Sequence, residues 1–368
     1  MNSSFDYIIV GGGLIGLSIS YGLSKLGRRC LVIDGQDNSF RAARGNFGLI
    51  WVQGKGAGFP SYADWTLRSS ELWSDFCLDL QEESGINLGL QQIGGIHICL
   101  NEDEYNERES KLDLLRNHQN GKFQYQMLDN QELSKLMPGL GSEVLGGSFS
   151  AHDGHVNPLY LMRSLHNGFI KNKGKFVSNE KVNKIKRSAN NFFVKSNKQE
   201  YVSSKVILTA GLGNKDLAPM IGLKQAVKPI KGQVLITQKL EENLHYPSTL
   251  LRQTQEGSIM IGDSHEDIGE DISTNPNIIS NIAKRAMLTL PKLENNQIIR
   301  SWAALRVMSP DGYPIYDQSE SHPGAFAISC HSGVTLAAAH ARDLSKYIDD
   351  GRLGTELKPF SEKRFHVS

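Results

Sequence analysis

Gly11-Gly12-Gly13-Leu14-Ile15-Gly16 is the first stretch of this sequence whose residue types and spacing could do chemistry, and Asp34, followed by Gly35, is its companion. Each position in the G-x-G-x-x-G pattern has a physical reason. Gly11 permits a tight turn, Gly13 lets the backbone approach a pyrophosphate, and Gly16 lets a helix lie close to a strand. Free N–H groups and the positive dipole end of that helix favour phosphate. An acid after the next strand, here Asp34, accepts hydrogen bonds from ribose hydroxyls and repels a 2′-phosphate.

The elements needed to position those residues are present in order. Tyr7-Ile8-Ile9-Val10 reads as a buried parallel strand, 14–26 as a helix closed by Gly27, and Cys30-Leu31-Val32-Ile33 as a second strand. One βαβ unit therefore contains the whole motif, which predicts dinucleotide binding; the motif alone leaves FAD and NAD both open. Further along, 61–80 reads as an amphipathic helix anchored by Leu67, Leu72, Trp73, Phe76 and Leu80. Asp129-Asn130-Gln131-Glu132 has the form of a capping box, with Pro138 stopping the helix behind it. Asn157-Pro158 opens another helix running to Phe169. The polar stretch 190–200, with Phe192-Phe193-Val194 inside it, reads as a hairpin at a solvent edge. Strand-like runs at 232–237, 250–252 and 259–262 lie outside the βαβ pattern and predict a second, largely antiparallel sheet.

The segment after Asp34 bears on the choice between the two cofactors. Arg41, Ala42, Ala43, Arg44, Gly45, Asn46, Phe47, Gly48 and Leu49 form a run of small residues, arginine and glycine. Here the chain resembles the D-amino-acid oxidase superfamily of FAD-dependent amine oxidoreductases, in which a comparable segment threads along the cofactor. From Arg44 to Gly56 it is most similar to the opine oxidase B subunits and the hydrogen cyanide synthase subunit, with glycine and sarcosine oxidases as wider relatives. Three further stretches carry the resemblance. Lys181-Val182-Asn183-Lys184-Ile185 is similar to the strand whose valine contacts adenine. Val206 to Gly211, ending in Ala210-Gly211, is similar to a second flavin-contacting strand and turn. Cys330-His331-Ser332-Gly333-Val334-Thr335-Leu336-Ala337 is similar to the turn and helix start at the flavin pyrimidine edge.

The resemblance implies an α/β (α+β overall) fold: a Rossmann-like FAD-binding domain (1–84, 150–216 and 300–368) interleaved with a mainly antiparallel substrate domain (85–149 and 217–299). It implies non-covalent FAD, because Ala304 stands where sarcosine-oxidase relatives attach flavin through a cysteine. It also places Arg306, just before Ser309-Pro310-Asp311, where the family grips a substrate carboxylate; a guanidinium binds both carboxylate oxygens and stays charged when desolvated. The activity implied is oxidation of a small carboxylated amine, such as an opine, sarcosine, glycine or a proline derivative. In it a hydride passes to flavin N5 and the imine hydrolyses. Lys55, His265 and His331 are candidates for tuning the amine. An electron-relay subunit of a multisubunit dehydrogenase, with catalysis shared with partner chains, is the alternative, and an NAD-dependent dehydrogenase a third.

Composition bounds the rest. The 368 residues carry 40 Lys plus Arg against 39 Asp plus Glu, a net +1, which gives no concentrated basic surface for nucleic acid. Cys30, Cys77, Cys99 and Cys330 are scattered without zinc-ligand spacing, so no metal is expected and a reducing compartment suits them. No basic leader and no apolar run near ~20 residues is seen, and the expectation is a soluble, cytoplasmic protein. Neither a Ser/His/Asp triad nor a carboxylate pair is evident. Thirty-six glycines, about a tenth of the chain where about 7% is usual, are the compositional mark of its backbone-lined sites.

Overall fold

The β-branched run ahead of the glycine turn forms strand β1 (Phe5–Val10) in the computed structural model, which describes residues 4–35, 42–241 and 244–366. Helix α1 (Leu14–Lys25) follows, and β2 (Cys30–Ile33) returns parallel to β1, with Ile9 opposite Val32. On its other side β1 pairs in parallel with Glu200–Leu208, and that strand with Ala325–Ser329. Across the sheet the order is 315–318, 325–329, 200–208, β1, β2, 175–177. Strands covered on both faces must be apolar on both faces, and Ile8, Ile9, Val32, Ile207 and Phe326 are fully buried.

A second sheet, antiparallel throughout, runs 251–253, 258–262, 228–239, 298–308. A third, also antiparallel, runs 95–99, 146–150, 126–129, and touches the second through a bridge from Ile96 to Ser248. Strand Ile298–Met308 is hydrogen-bonded along its length to Lys228–Lys239, Arg306 lying opposite Ile230. A division of the chain at residue 300 therefore cuts this strand, and the last contribution to the parallel sheet begins only at Ile315.

Most helices lie where the sequence puts them. The helix expected over 61–80 spans Pro60–Ser84, and Asn157 caps Pro158–Lys171. The capping box is complete: Asp129 accepts from Glu132 N at 2.8 Å and Glu132 accepts from Asp129 N at 3.1 Å. One expectation needs correction. Strand Asn191–Ser196 is not at an edge; it pairs with both Val182–Ser188 and Glu200–Leu208, which buries Phe192 and Val194 completely. After Cys330 the expected order of turn and then helix is found: residues 333–336 are turns and regular helix starts at Ala337. Gly333 and the β-branched pair Val334-Thr335 are poor helix formers, which delays the start. Among the described residues no helix is long and apolar enough to cross a membrane.

Candidate active site

The glycine turn has the geometry of a phosphate cradle. Gly13 is the N-cap of α1, and among the described residues no side chain caps that end of the helix. A Cβ on Gly16 would lie 1.9 Å from Gly11 O, so this glycine is required by the close packing of turn on helix. A Cβ on Gly13 would meet no atom of the described residues within 4 Å, so among them this backbone faces open space. Asp34, 3% exposed, accepts from Gly12 N at 2.6 Å and so holds the turn in addition to ending β2 beside it. Thr209 Oγ donates to Gly11 O at 2.8 Å, and Ala210 N donates to Asn214 at 2.8 Å, which place the Ala210-Gly211 turn against the motif. Val182 is buried at the start of its strand, and Leu14 is buried at the start of α1 with Ile15 half-covered beside it. Gly35 is half-buried directly after Asp34. Arg41 lies outside the described residues.

Beyond the turn lies a cavity of about 300 Å³. One wall is the segment after Asp34, contributing Ala42, Asn46, Phe47 and Leu49; Ala43, Arg44 and Gly48 belong to the same segment without lining it. Another is the 331–336 turn, where His331, Ser332, Val334 and Thr335 line the space. Gly333 in that turn packs towards Leu14, and Leu336 is fully buried beneath. The third wall is the second sheet. Arg306 and Ala304 on one strand, and Gly232 and Val234 on its neighbour, share a face by strand alternation. A Cβ on Gly232 would lie 2.4 Å from Arg306 Nη1, so glycine here leaves room for the guanidinium.

Arg306 is firmly held. Its Nη1 donates to Ser264 O at 2.9 Å and Lys231 O at 3.3 Å, and its Nη2 pairs with the Asp263 carboxylate. Lys55 Nζ lies 3.2 Å from His331 Nε2 and 3.2 Å from Ser332 Oγ, which is 2.7 Å from Tyr62 OH. Burial, and then the charge of Arg306, bring the Lys55 ammonium down to about 8. Burial, and then Lys55 and Arg306, hold His331 well below its ordinary value, so its imidazole is neutral. A neutral imidazole beside an amine brought down to about 8 is a pair able to hold or pass a proton in mildly alkaline solution. His265, by contrast, is exposed and does not line the cavity.

The loop bearing Lys55 is fixed by a buried polar group. Asp153 accepts from Val52 N at 2.5 Å and Gln53 N at 3.2 Å; Gln53 donates to Gly95 O at 2.9 Å and accepts from the buried Arg108. Burial raises the Asp153 carboxyl to about 7. Sequence reasoning missed Asp263, Trp51, Thr249 and the Gly232/Val234 face. Period-two alternation around Gly232 and Val234 was the available signal for that face; Asp263 stands two residues before the histidine that drew attention instead.

The model of the family described as DAO, FAD dependent oxidoreductase, matches residues 6–347. The chain belongs to this family. It is 42% identical over 363 residues to the opine oxidase B subunit of Agrobacterium tumefaciens (strain Ach5), covering 98% of each chain. It is 23% identical to the hydrogen cyanide synthase subunit HcnC of Pseudomonas aeruginosa PAO1, over 99% of this chain and 97% of that one. Among solved structures it is similar to glycine oxidase from Geobacillus kaustophilus, with a TM-score of 0.90, 20% identity and full coverage of both chains, a likeness of fold. The protein is thus a DAO-family flavoenzyme with FAD as its cofactor. Its residues fit that group: an uncapped helix end, an open approach at Gly13, and a buried acid at the end of β2.

Proposed function

We propose that this chain oxidises a small carboxylated amine, an amino acid or secondary amino acid of the opine, sarcosine, glycine or proline-derivative kind, at the carbon bearing nitrogen. The observation that carries the reading is Arg306 and the Lys55–His331 pair lining one cavity whose other walls are the 42–49 and 331–335 segments. The relatives named as opine oxidase and glycine oxidase chains, and a structural neighbour titled L-proline dehydrogenase, support the substrate class. Bound FAD supplies the acceptor for the hydride lost by the substrate carbon. Arg306 holds the carboxylate and orients the C–H bond. Lys55, backed by neutral His331, takes the ammonium proton so that the amine is neutral when it reacts. Thr335 and Leu49 close the cavity between the 42–49 segment and the 331–336 turn, Thr335 Oγ donating to Leu49 O at 3.3 Å. We assign the flavin-binding part to 1–84, 150–216 and the chain after Met308, and the substrate-binding part to the second and third sheets.

Anaerobic mixing with a panel of such amines tests the reading: at least one should bleach the flavin band. Arg306→Ala should raise KM for that amine by about 10-fold or more, as expected for a lost charge-assisted pair, with FAD retained. Silence of the flavin towards every amine, with and without co-purified chains, would overturn it. Ala304 and the buried Cys330, whose thiol burial pushes up to about 12, support non-covalent attachment, so acid precipitation should free all the flavin. The opine oxidase and hydrogen cyanide synthase relatives are both named as subunits, which favours a second reading, an electron-relay chain whose catalysis is shared with a partner; bleaching only in a partner complex would select it.

A further inference from the structure

Arg306, the residue that the proposed function assigns to a substrate carboxylate, already carries one. Nη2 is paired with Asp263, while Nη1 is committed to the carbonyl oxygens of Ser264 and Lys231. Both side chains line the same cavity, and Asp263 is the acidic residue in its lining. Asp263 is half exposed, and its carboxylate makes no other side-chain pairing among the described residues.

The backbone around Asp263 is anchored without that carboxylate. Gln233 N donates to Ser264 Oγ at 3.0 Å, and Lys231 and Glu266 exchange backbone hydrogen bonds of 2.9 and 3.0 Å. Gln233 Nε2 donates to Glu266 at 2.8 Å, and Lys231 Nζ pairs with Asp271 at 2.8 Å. A side-chain rotation of Asp263 therefore breaks its pairing with Arg306 and leaves the strap of residues 264–271 in place.

We infer that Asp263 is a built-in competitor for Arg306, displaced when a substrate carboxylate arrives and then turned towards the substrate ammonium. The inference rests on the carboxylate reading of Arg306. An ammonium carboxylate exchanges both charges in one step: its carboxylate replaces Asp263 on Arg306, and its ammonium replaces Arg306 beside Asp263. A simple carboxylate offers only the first exchange and leaves Asp263 without a counter-charge in a partly desolvated cavity. Asp263 thereby makes the site discriminate zwitterions from simple anions by penalising the latter.

The test is ligand binding to the FAD-loaded protein, read as perturbation of the flavin spectrum and needing no turnover. Acetate and glycine serve as probes, on wild type, Asp263→Asn and Arg306→Lys. Asp263→Asn should bind acetate about threefold or more tighter than wild type, the size expected on removing a partly exposed competing ion pair, with a smaller gain or a loss for glycine. Equal or weaker acetate binding by Asp263→Asn would overturn the inference and make Asp263 a positioning residue for Arg306, with the carboxylate reading intact. Failure of every carboxylate to perturb the flavin in wild type and variant alike would take down both.

Discussion

Gly13 and Gly16 sit one helical turn apart and make opposite demands on a methyl group. Gly16→Ala drives a Cβ to within 1.9 Å of Gly11 O and should destabilise the chain by about 1–3 kcal/mol, seen as a lowered melting temperature even without cofactor. Gly13→Ala meets no atom of the described residues within 4 Å, so the cofactor-free protein should melt as wild type does while retaining less flavin through purification. Equal flavin retention would show that Gly13 does not face the pyrophosphate. Lys55 offers a second residue-level test. Its value falls from 10.5 to about 8 in the folded chain, so between those limits the unfolded chain binds more protons and stability rises with pH. Melting temperatures from pH 7.5 to 9.5 should climb for wild type relative to Lys55→Met; parallel curves would contradict the burial of this amine. The glycine motif was legible because its sterics are local to a few residues. The partner of Arg306 was not, because Asp263 reaches it through the register of separate strands and the strap beyond 262, which no local pattern encodes.

At the scale of elements, the loop following Trp51 is held more by what is buried beneath it than by its own sequence. Asp153 caps the N–H groups of Val52 and Gln53 while its second oxygen has no hydrogen-bond partner among the described residues. Its carboxyl is raised from 3.8 to about 7, so the folded chain holds a proton that the unfolded chain releases between those values. Relative to Asp153→Asn, the stability that Asp153 contributes is complete below about pH 4 and lost as pH rises through about 7. Urea unfolding of both proteins at pH 4.5, 6 and 7.5 should show the wild-type advantage shrinking; a constant difference would exclude a protonated Asp153. The helices are legible because capping and apolar spacing are one-dimensional signals, as the Asp129–Glu132 box shows. Strand 191–196 reads as an edge in the sequence because its neighbour, Val182–Ser188, carries Lys184, Lys186 and Arg187, which hide its role as a cover for Phe192 and Val194.

In the whole molecule, the cavity exists because the segment after Asp34 is pressed against the second sheet. A Cβ on Gly45 would lie 2.5 Å from the Ala304 Cβ, so Gly45→Ala should cost about 1–3 kcal/mol in denaturant unfolding and loosen flavin retention together. A stability loss with flavin binding untouched would separate that contact from the cofactor site. Strand-like runs outside the βαβ unit pointed to a second sheet and the family resemblance implied its interleaving with the first, yet which strands close the cavity depends on pairings between residues hundreds of positions apart. β1 illustrates the cost in time. Its partner on one side, β2, follows within about thirty residues, whereas its partner on the other, Glu200–Leu208, is made some two hundred residues later, and Ala325–Ser329 later still. At about 5–20 residues per second a ribosome leaves one edge of β1 unpaired for roughly 10–40 s. An apolar strand edge open for that long is exposed to aggregation, so slower synthesis is expected to lower the yield of folded protein and chaperoning of the nascent chain to raise it.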